Sequence, residues 1–265
     1  MRPLVSLLER CSGIHSLNQI YHKVRLSLVD SEHDPAFFIK TLQVMGVSIE
    51  IDRPLFEHLL QRGPLIVVAN HPFGGLDGVV MGALLSGVRS DSKLMGNYFL
   101  SRIDGIRGSL IKVDPFERRS SARANLTGMR EAQDWLQAGG CLGVFPAGEV
   151  SAFNSRSLSV VDRPWSPHIV SLALRSGASV LPIYFEGRNS WVFLLAGIVH
   201  ARFRTLLLAR EFCKKCNTTV LVRMGRPVSP ETMKLMGNKR VITDYLRLQT
   251  YLLKKNLGIQ KPYTV

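Results

Sequence analysis

The chain has 265 residues, of which 46% are hydrophobic and 20% are charged, and this composition excludes a disordered protein. The length fits one large α/β domain, or one domain with a small helical addition, and it suffices to bury a sizeable core. The formal net charge is +14, and a field of that sign attracts anionic surfaces or anionic ligands.

The first 46 residues are predicted to be helical. Apolar residues recur at steps of three and four from Leu4 to Leu28, and basic residues take the opposite face. A basic amphipathic helix of this kind either lies in a lipid interface or packs on its own domain, and the pattern fits both. A second helix is expected from Asp34 to Met45, ended by Gly46. We assign 1–46 to an N-terminal helical segment, a candidate for membrane association, and 47–265 to an α/β domain.

After residue 46, the sequence alternates between predicted strands and predicted helices. The strands are expected at 47–51, 65–69, 93–96, 109–113, 141–145, 179–184 and 219–224. The helices are expected at 54–61, 78–86, 120–138, 166–176, 204–215 and 240–256. This alternation predicts an α/β fold with a mainly parallel or mixed sheet covered by helices. Ligands of such sheets bind beyond the carboxyl ends of the strands, so the loops at those ends are the candidates for a functional site.

The loop after strand 65–69 carries a histidine, His71, and a carboxylate, Asp77, on either side of the Gly74–Gly75 pair. Histidine titrates near neutral pH and can serve as a general base, and a carboxylate on its far ring nitrogen would fix its tautomer. The two glycines have no Cβ, so the loop can fold back and bring Asp77 to His71. The alternative, given equal weight, makes His71 a strand-end residue and Asp77 the N-cap of the next helix.

Three further loops follow predicted strands. The first contains Arg118 and Arg119, which either hold a phosphate group or are two solvated arginines. The second contains Gly148, whose backbone conformation is unrestricted, and Glu149, an acidic group among bases. The third leaves a strand that contains Pro182, and since proline cannot donate to a sheet ladder, this position predicts a strand edge or a bend beside a cavity.

These four loops, in this order, resemble the motifs of the PlsC-like glycerolipid and lysophospholipid acyltransferase superfamily. Asn70-His71 with Asp77 is similar to the His–Asp block of that superfamily, and Ile111–Asp114 with the arginines that follow is similar to the second block. The sequence Phe-Pro-Ala-Gly-Glu-Val-Ser at 145–151 resembles the Phe-Pro-Glu-Gly-Thr-Arg-Ser block, and Val180–Ile183 resembles the fourth.

The loops are most similar to the subgroup described as hemolysin-like or lyso-ornithine-lipid acyltransferases, as the sequence Gly-Arg-Asn-Ser at 187–190 illustrates. They depart from the superfamily pattern in three places. Five residues rather than four separate His71 from Asp77, Ala147 stands at the usual glutamate position, and Val150 stands at the usual arginine position. The last two changes argue against a glycerol-phosphate head group on the acceptor, and Glu149 could instead serve an acceptor of different charge.

The resemblance implies an O-acyltransferase of lipid metabolism, including phospholipid biosynthesis. It would move a fatty acyl group from a thioester donor, acyl-CoA or acyl carrier protein, to the hydroxyl of a lysolipid, with His71 as general base and Asp77 as its partner. A thioester is already activated, so neither a metal nor another cofactor is expected. The substrate-binding residues that it implies are Asn70, Gly74, Gly75, Lys112, Arg118, Arg119, Phe145, Pro146, Gly148, Glu149, Ser151 and Pro182.

The expected partners are the acyl donor, the lysolipid acceptor and an anionic membrane surface. We expect a peripheral protein on the cytoplasmic side of the membrane, without a signal peptide and without a spanning helix, since no apolar run approaches roughly 20 residues. The alternative is a lipid- or nucleic-acid-binding protein without transfer activity. No recognisable nucleic-acid module is present, so nucleic acid is not expected as a partner. A serine hydrolase would need a Gly-x-Ser-x-Gly elbow, which the sequence lacks.

Overall fold

The computed structural model describes residues 12–28, 36–51, 63–113, 121–255 and 263–264. Within them, eight strands form one sheet and two short strands form a separate antiparallel hairpin. The sheet strands are β1 (Ser48–Ile51), β2 (Leu65–Ala69), β3 (Ser92–Asn97), β4 (Leu110–Val113), β5 (Cys141–Val144), β8 (Ser179–Phe185), β9 (Thr219–Met224) and β10 (Tyr263–Thr264). The hairpin consists of β6 (Ala152–Asn154) and β7 (Ser159–Val161).

The strand order across the sheet is β10-β1-β9-β8-β2-β5-β3-β4. The five neighbours β8, β2, β5, β3 and β4 are mutually parallel, whereas β9 is antiparallel to β8 and parallel to β1. The prediction of a mainly parallel or mixed sheet is therefore confirmed. Because β2 lies between β8 and β5, the loop that leaves its carboxyl end emerges near the middle of the sheet edge.

Helices cover both faces of the sheet. They are α1 (Ile14–Leu26), α2 (Phe37–Met45), α3 (Gly75–Ser86), α4 (Ser121–Gln137), α5 (His168–Ser176), α6 (Trp191–Val199), α7 (Ala201–Leu206), α8 (Leu208–Cys213), α9 (Pro230–Leu235) and α10 (Lys239–Leu252). Of the described helices, none is both long enough and apolar enough to cross a bilayer.

Alternate residues of β2 point to opposite faces and belong to two separate cores. Leu65, Val67 and Ala69 pack with residues of α1, α2 and α3, whereas Ile66 and Val68 pack with residues of α4, α5, α9 and α10. Burial on both faces explains why this strand is a continuous hydrophobic run, as is usual for a parallel sheet covered by helices.

The described part of the N-terminal segment packs on the α/β domain. Val24 of α1 and Phe38 of α2 are buried in the first core, and the ring of Phe38 lies so close to Gly82 of α3 that a Cβ there would come within 2.5 Å of it. Gly46 ends α2 in the left-handed conformation, as predicted. The division at residue 46 stays a prediction, and the helical predictions for residues 1–11 and 29–35 lie outside the described residues.

Two predicted helices differ from those in the structure, and a third lies outside the described residues. The predicted helix 204–215 is instead α7 and α8, separated by a turn at Leu207, so that Phe203 faces outward while Phe212 enters the core. α3 begins at Gly75 rather than at Gly78, because Asp77 caps its first turn. The predicted helix 54–61 lies outside the described residues.

Pro182 lies in β8, an inner strand, and not at a sheet edge. Val180 pairs with Val228 and Ile183 with Met224, so two residues of β8 face three residues of the neighbouring segment in a bulge. A bulge lacks a regular ladder, which is why it accommodates a proline. The strand edge that the sequence allowed is therefore excluded, and Pro182 lies at a bulge that does not border the cavity described below.

Candidate active site

The loop that carries His71 is anchored by Asn70, the first residue after β2. The Asn70 amide donates from Nδ2 to the Phe185 carbonyl at 2.9 Å, and its Oδ1 accepts the Phe185 N–H at 2.7 Å. Asn70 is buried and does not line the cavity described below. Its two polar side-chain atoms join the ends of β2 and β8, and its assignment to substrate binding stays a prediction.

The structure brings His71 and Asp77 together. Nδ1 of His71 lies 3.0 Å from Oδ2 of Asp77, and the same oxygen accepts the backbone N–H groups of Phe73 at 2.8 Å and Gly74 at 2.9 Å. Gly74 has φ +83° and ψ −119°, a conformation that side chains disfavour, and this turn absorbs the five-residue spacing between His71 and Asp77. The two interpretations of Asp77 describe one carboxylate, which both caps α3 and faces His71.

Asp77 is fully buried, and this burial raises the pKa of its carboxyl group from the ordinary value. His71 and the two backbone N–H groups act in the opposite direction, because they stabilise the charged form. Its second oxygen, Oδ1, has no hydrogen-bond partner within the described chain. The carboxylate is therefore directed at His71 and at the first turn of α3, and it is shielded from solvent.

The orientation of the His71 ring follows from its neighbours. Nδ1 is buried against Asp77, and one face of the ring stacks on Phe145 with centroids 4.1 Å apart. The side chain is partly exposed and lines the cavity. The arrangement leaves Nε2 as the ring nitrogen available to a group bound there.

A buried carboxylate that the sequence analysis missed, Asp162, fixes the backbone of His71. Its Oδ1 accepts the N–H of His71 at 3.2 Å and the hydroxyl of Ser151 at 2.5 Å, and its Oδ2 accepts the indole N–H of Trp165 at 2.9 Å. The His71 carbonyl in turn accepts the N–H of Ser151 at 2.8 Å. Asp162 thus joins the first and third loops, which are far apart in the sequence.

The main chain of Asp162 is tied to α10 as well. Its N–H donates to the hydroxyl of Tyr251 at 2.7 Å, and its carbonyl accepts Nη2 of Arg247 at 2.9 Å. Local sequence gives only one weak sign of this role, because every side-chain partner except Trp165 is at least eleven residues away. A single acidic residue followed by Arg163, Pro164 and Trp165 was the one local signal available.

The third loop borders the cavity. Phe145, Pro146, Gly148 and Glu149 all line it, as do the glycines Gly74 and Gly75 of the first loop. Ser151 does not line the cavity: it is buried, and its hydroxyl is bound to Asp162. Pro182 is enclosed within the sheet and does not line the cavity either, and the assignment of both residues to substrate binding stays a prediction.

Glu149 holds two arginines beside the cavity. Its Oε1 lies 2.7 Å from Nε of Arg163, and its Oε2 accepts Nη2 of Arg204 at 2.7 Å. Arg204, on α7, lines the cavity together with Glu149, whereas Arg163 is largely exposed. Neither arginine was singled out from the sequence, because the pairing requires α7 to approach the third loop.

The cavity has a volume of about 2060 Å³ and is lined mainly by apolar side chains. This volume exceeds the roughly 300–1,000 Å³ of ordinary small-molecule sites, so there is room for a long apolar ligand. It extends from His71 towards α1 and α2 on one side, past Leu17 and Tyr21, and towards α4 and α5 on the other, past Met129 and Leu172.

One further predicted site residue that the structure describes is not brought to the cavity. Lys112 of β4 is exposed to solvent and does not line it. Arg118 and Arg119 lie outside the described residues. Among the residues that the structure does describe, no three His, Cys, Asp or Glu side chains come together as a group that could hold a metal ion.

A histidine in contact with a buried carboxylate, at the end of a central parallel strand and open to a large apolar cavity, defines an α/β enzyme that can accept a ligand with a long apolar part. The family follows from comparison of the whole chain. A family model described as acyltransferase matches residues 18–260, and the chain belongs to this acyltransferase family.

Two curated relatives support the assignment. A lyso-glycine lipid O-acyltransferase of Phocaeicola vulgatus is 28% identical over 227 residues, which cover 82% of this chain and 78% of that protein. A lyso-glycine lipid O-acyltransferase of Bacteroides thetaiotaomicron is 28% identical over 226 residues, covering 82% of this chain and 79% of that protein.

A solved structure shows the same fold. The crystal structure of PlsC, the 1-acyl-sn-glycerophosphate (LPA) acyltransferase from Thermotoga maritima, matches with a TM-score of 0.55 at 15% identity. The match covers 94% of this chain and 83% of the PlsC chain. Together, the comparisons confirm the PlsC-like acyltransferase superfamily that the four loops predicted.

Proposed function

We propose that this acyltransferase transfers a fatty acyl group from a thioester donor to the hydroxyl of a lysolipid, with His71 as the general base. The observation that carries the proposal is the 3.0 Å contact between His71 Nδ1 and Asp77 Oδ2 beside the cavity. A histidine so oriented presents Nε2 to the ligand in the tautomer that can accept a proton.

The chemical steps follow from this geometry. Nε2 of His71 takes the proton of the acceptor hydroxyl as its oxygen attacks the carbonyl carbon of the thioester. Asp77 stabilises the imidazolium that forms, because its carboxylate faces Nδ1. When the tetrahedral intermediate collapses, the C–S bond breaks, the thiolate takes the proton back from Nε2, and an ester and a free thiol are released. The acceptor is the nucleophile, so the reaction needs no covalent enzyme intermediate.

The developing oxyanion needs hydrogen-bond donors. Backbone N–H groups of the loops around His71, or Arg118, are the candidates. The donor is acyl-CoA or acyl carrier protein, and no further cofactor takes part in the proposed steps. The apolar walls of the cavity would hold the acyl chains of donor and acceptor, since both are long hydrocarbons.

For the acceptor, we propose a lyso-amino-acid lipid of the glycine type. Ala147 and Val150 stand where the superfamily motif has glutamate and arginine. Glu149 binds Arg204 and positions it beside the cavity. An arginine suits the carboxylate of an amino-acid head group, because its planar guanidinium binds carboxylates through two hydrogen bonds. The two relatives named above are lyso-glycine lipid acyltransferases, which favours this acceptor over the lyso-ornithine type.

The decisive experiment is thiol release from a long-chain acyl donor with a panel of acceptors. The panel contains lyso-glycine lipid, lyso-ornithine lipid and lysophosphatidic acid, each tested with acyl-CoA and with acyl carrier protein. We expect release that depends on lyso-glycine lipid and that falls by roughly 10²–10⁴-fold in His71→Ala. His22→Ala is the matched control, because His22 is exposed and does not line the cavity.

Three results would contradict the proposal. Release without any acceptor would indicate a thioesterase. Full turnover in His71→Ala would show that His71 is not the general base. A preference for lysophosphatidic acid would contradict the acceptor while leaving acyl transfer in place. We further propose that the protein works as a peripheral protein at the cytoplasmic side of a membrane.

A further inference from the structure

An apolar surface is left uncovered beside the active site. It is formed by α6 and the start of α7, and we call it the α6–α7 surface: Trp191, Val192, Leu195, Ile198, Val199 and Phe203. These side chains are between 51% and 74% exposed. The five on α6 recur at helical spacing on one side, while Phe193 and Leu194 on the other side are buried.

This surface is rigidly held and does not result from a loosely packed helix. Ser190, the residue before α6, donates its N–H and its hydroxyl to the buried carboxylate of Glu211, both at 2.7 Å, and its hydroxyl caps Phe193. Phe193 and Leu194 pack against Val150 and its neighbours in a third apolar cluster. The fold therefore fixes α6 with an apolar side towards solvent, which is unusual for a surface helix.

The surface adjoins the cavity. α6 packs through Phe193 on Val150, which lines the cavity, and Arg204 of α7 and Leu208 of α8 line it too. A ligand that reaches His71 from this side would pass the α6–α7 surface. Since the proposed acceptor is a membrane lipid, the location fits a site at which the enzyme meets the bilayer.

The net positive charge of the segment that contains this surface favours a bilayer with anionic lipids. Residues 188–215 contain six lysines and arginines and one acidic residue. The guanidinium of Arg188 lies over the ring of Trp191, with Cζ 4.0 Å from the ring centroid. An apolar helix side with tryptophan at its start and basic residues in the same segment of the chain is typical of helices that lie in the interface of an anionic membrane.

We propose that the α6–α7 surface docks this enzyme onto an anionic lipid bilayer, with α6 lying in the interface beside the cavity entrance. The inference rests on the proposed function, since it assumes an acceptor held in a membrane. α6 has nine residues, far fewer than the roughly 20 that would span the hydrocarbon layer, so it lies in the interface.

The test is binding to vesicles, which needs no turnover. Wild type is mixed with vesicles of phosphatidylcholine alone or of phosphatidylcholine with phosphatidylglycerol, and the bound fraction is measured by flotation. We expect binding to the anionic vesicles that weakens with salt and falls by about tenfold or more in Leu195→Glu, because a leucine that the bilayer would bury is replaced by a charge that anionic lipids repel. Leu248→Glu on α10 is the matched control, as Leu248 is 55% exposed and Leu195 is 57% exposed.

The fluorescence of Trp191 locates the contact. Of the three tryptophans, Trp165 is buried, Trp135 is half-buried and Trp191 is half exposed, so insertion should shift the emission of Trp191 to shorter wavelength. Trp191→Phe should remove that shift while the thermal midpoint stays that of wild type.

Several outcomes would overturn the inference. Equal vesicle binding by wild type and Leu195→Glu would do so, as would a shift that persists in Trp191→Phe. A dimer in solution that Leu195→Glu dissociates, without vesicle binding, would show that a second copy covers the surface. Loss of binding to acyl carrier protein alone would assign the surface to the donor. If wild type binds vesicles through this surface but transfers no acyl group to any lysolipid, the proposed function fails and the docking surface stands.

Discussion

Gly74 donates its backbone N–H to Oδ2 of Asp77 at 2.9 Å, and that oxygen is the one that faces Nδ1 of His71. The bond that begins α3 and the contact that orients the histidine therefore share one atom. A helix cap here fixes the position of a carboxylate in the candidate active site, because the first turn of α3 cannot move without moving Asp77.

We expect Asp77→Asn to reduce acyl transfer by roughly 10²–10⁴-fold. An asparagine would keep its carbonyl oxygen towards the N–H groups of Phe73 and Gly74, but it carries no negative charge, so the imidazolium that forms when His71 takes the proton would lose its stabilisation. The measurement is kcat for the acyl-transfer assay, with Asp104→Asn, an exposed aspartate, as the control. Unchanged turnover in Asp77→Asn would leave Asp77 with the capping role alone.

Gly74→Ala should destabilise the protein by about 1–3 kcal/mol, since alanine disfavours φ +83°. Its Cβ would also approach Val150 Cγ2 to 3.0 Å. Gly78→Ala is the matched control: it lies within α3 with open space around its Cβ position, and alanine there should stabilise by about 0.5–1 kcal/mol. Urea unfolding midpoints compare the two, and equal effects of the same sign would contradict the role of Gly74.

Asp162→Asn should lower stability by about 1–3 kcal/mol and should also lower kcat more than it changes KM. The carboxylate accepts three hydrogen bonds, and the asparagine side chain would place its own N–H group against at least one of those donors. That buried donor would lose its hydrogen bond. The loss in kcat is expected because the His71 backbone is bound to Asp162. Asp244→Asn, an exposed surface aspartate, is the control.

A double-mutant cycle with Ser151→Ala tests the same network. The hydroxyl of Ser151 and Asp162 share one hydrogen bond, so the two changes should be non-additive in unfolding free energy. Additive effects would show that Asp162 acts on His71 without Ser151, and would contradict the network as described.

Stability should fall in alkaline solution in a way that depends on Cys141. Burial raises the pKa of its thiol from 9.0 to about 12, so the unfolded chain ionises at lower pH than the folded one. The stabilisation from this group is fully present below pH 9.0 and is lost as the pH rises towards about 12. Urea unfolding of wild type and Cys141→Ala at several pH values should show a smaller alkaline loss in the variant. Equal losses would contradict the role of Cys141.

Part of the site followed from local chemistry alone. The apolar run 65–69 predicted β2, and the break at Pro72 with the glycine pair predicted a loop in which a histidine and a carboxylate could meet. These inferences succeeded because strand burial on both faces and glycine conformations leave short-range signals in the sequence. The loop from Phe145 to Glu149 was implied by the resemblance to the superfamily motif, and four of its predicted residues line the cavity.

The supporting residues needed the tertiary structure. Asp162 contacts His71 across 91 positions, and Asn70 contacts Phe185 across 115, so no window of sequence contains either pair. Asn70, Ser151 and Pro182 are predicted ligand-binding residues because they stand inside loop motifs, and the structure shows that all three are buried. The polarity of a side chain does not reveal whether its partner will be a ligand or the backbone of a distant strand.

The outward side of α6 is the clearest case of this division. The sequence shows a nine-residue run from Trp191 to Val199 that is apolar except for Gly197, and such a short run fits a buried strand and a buried helix equally well. In the folded protein the run is a helix, with Phe193 and Leu194 inside and Leu195 and Ile198 outside. Short-range pattern cannot supply this distinction, because the exposure of a residue depends on which other elements cover it, and those elements lie elsewhere in the chain.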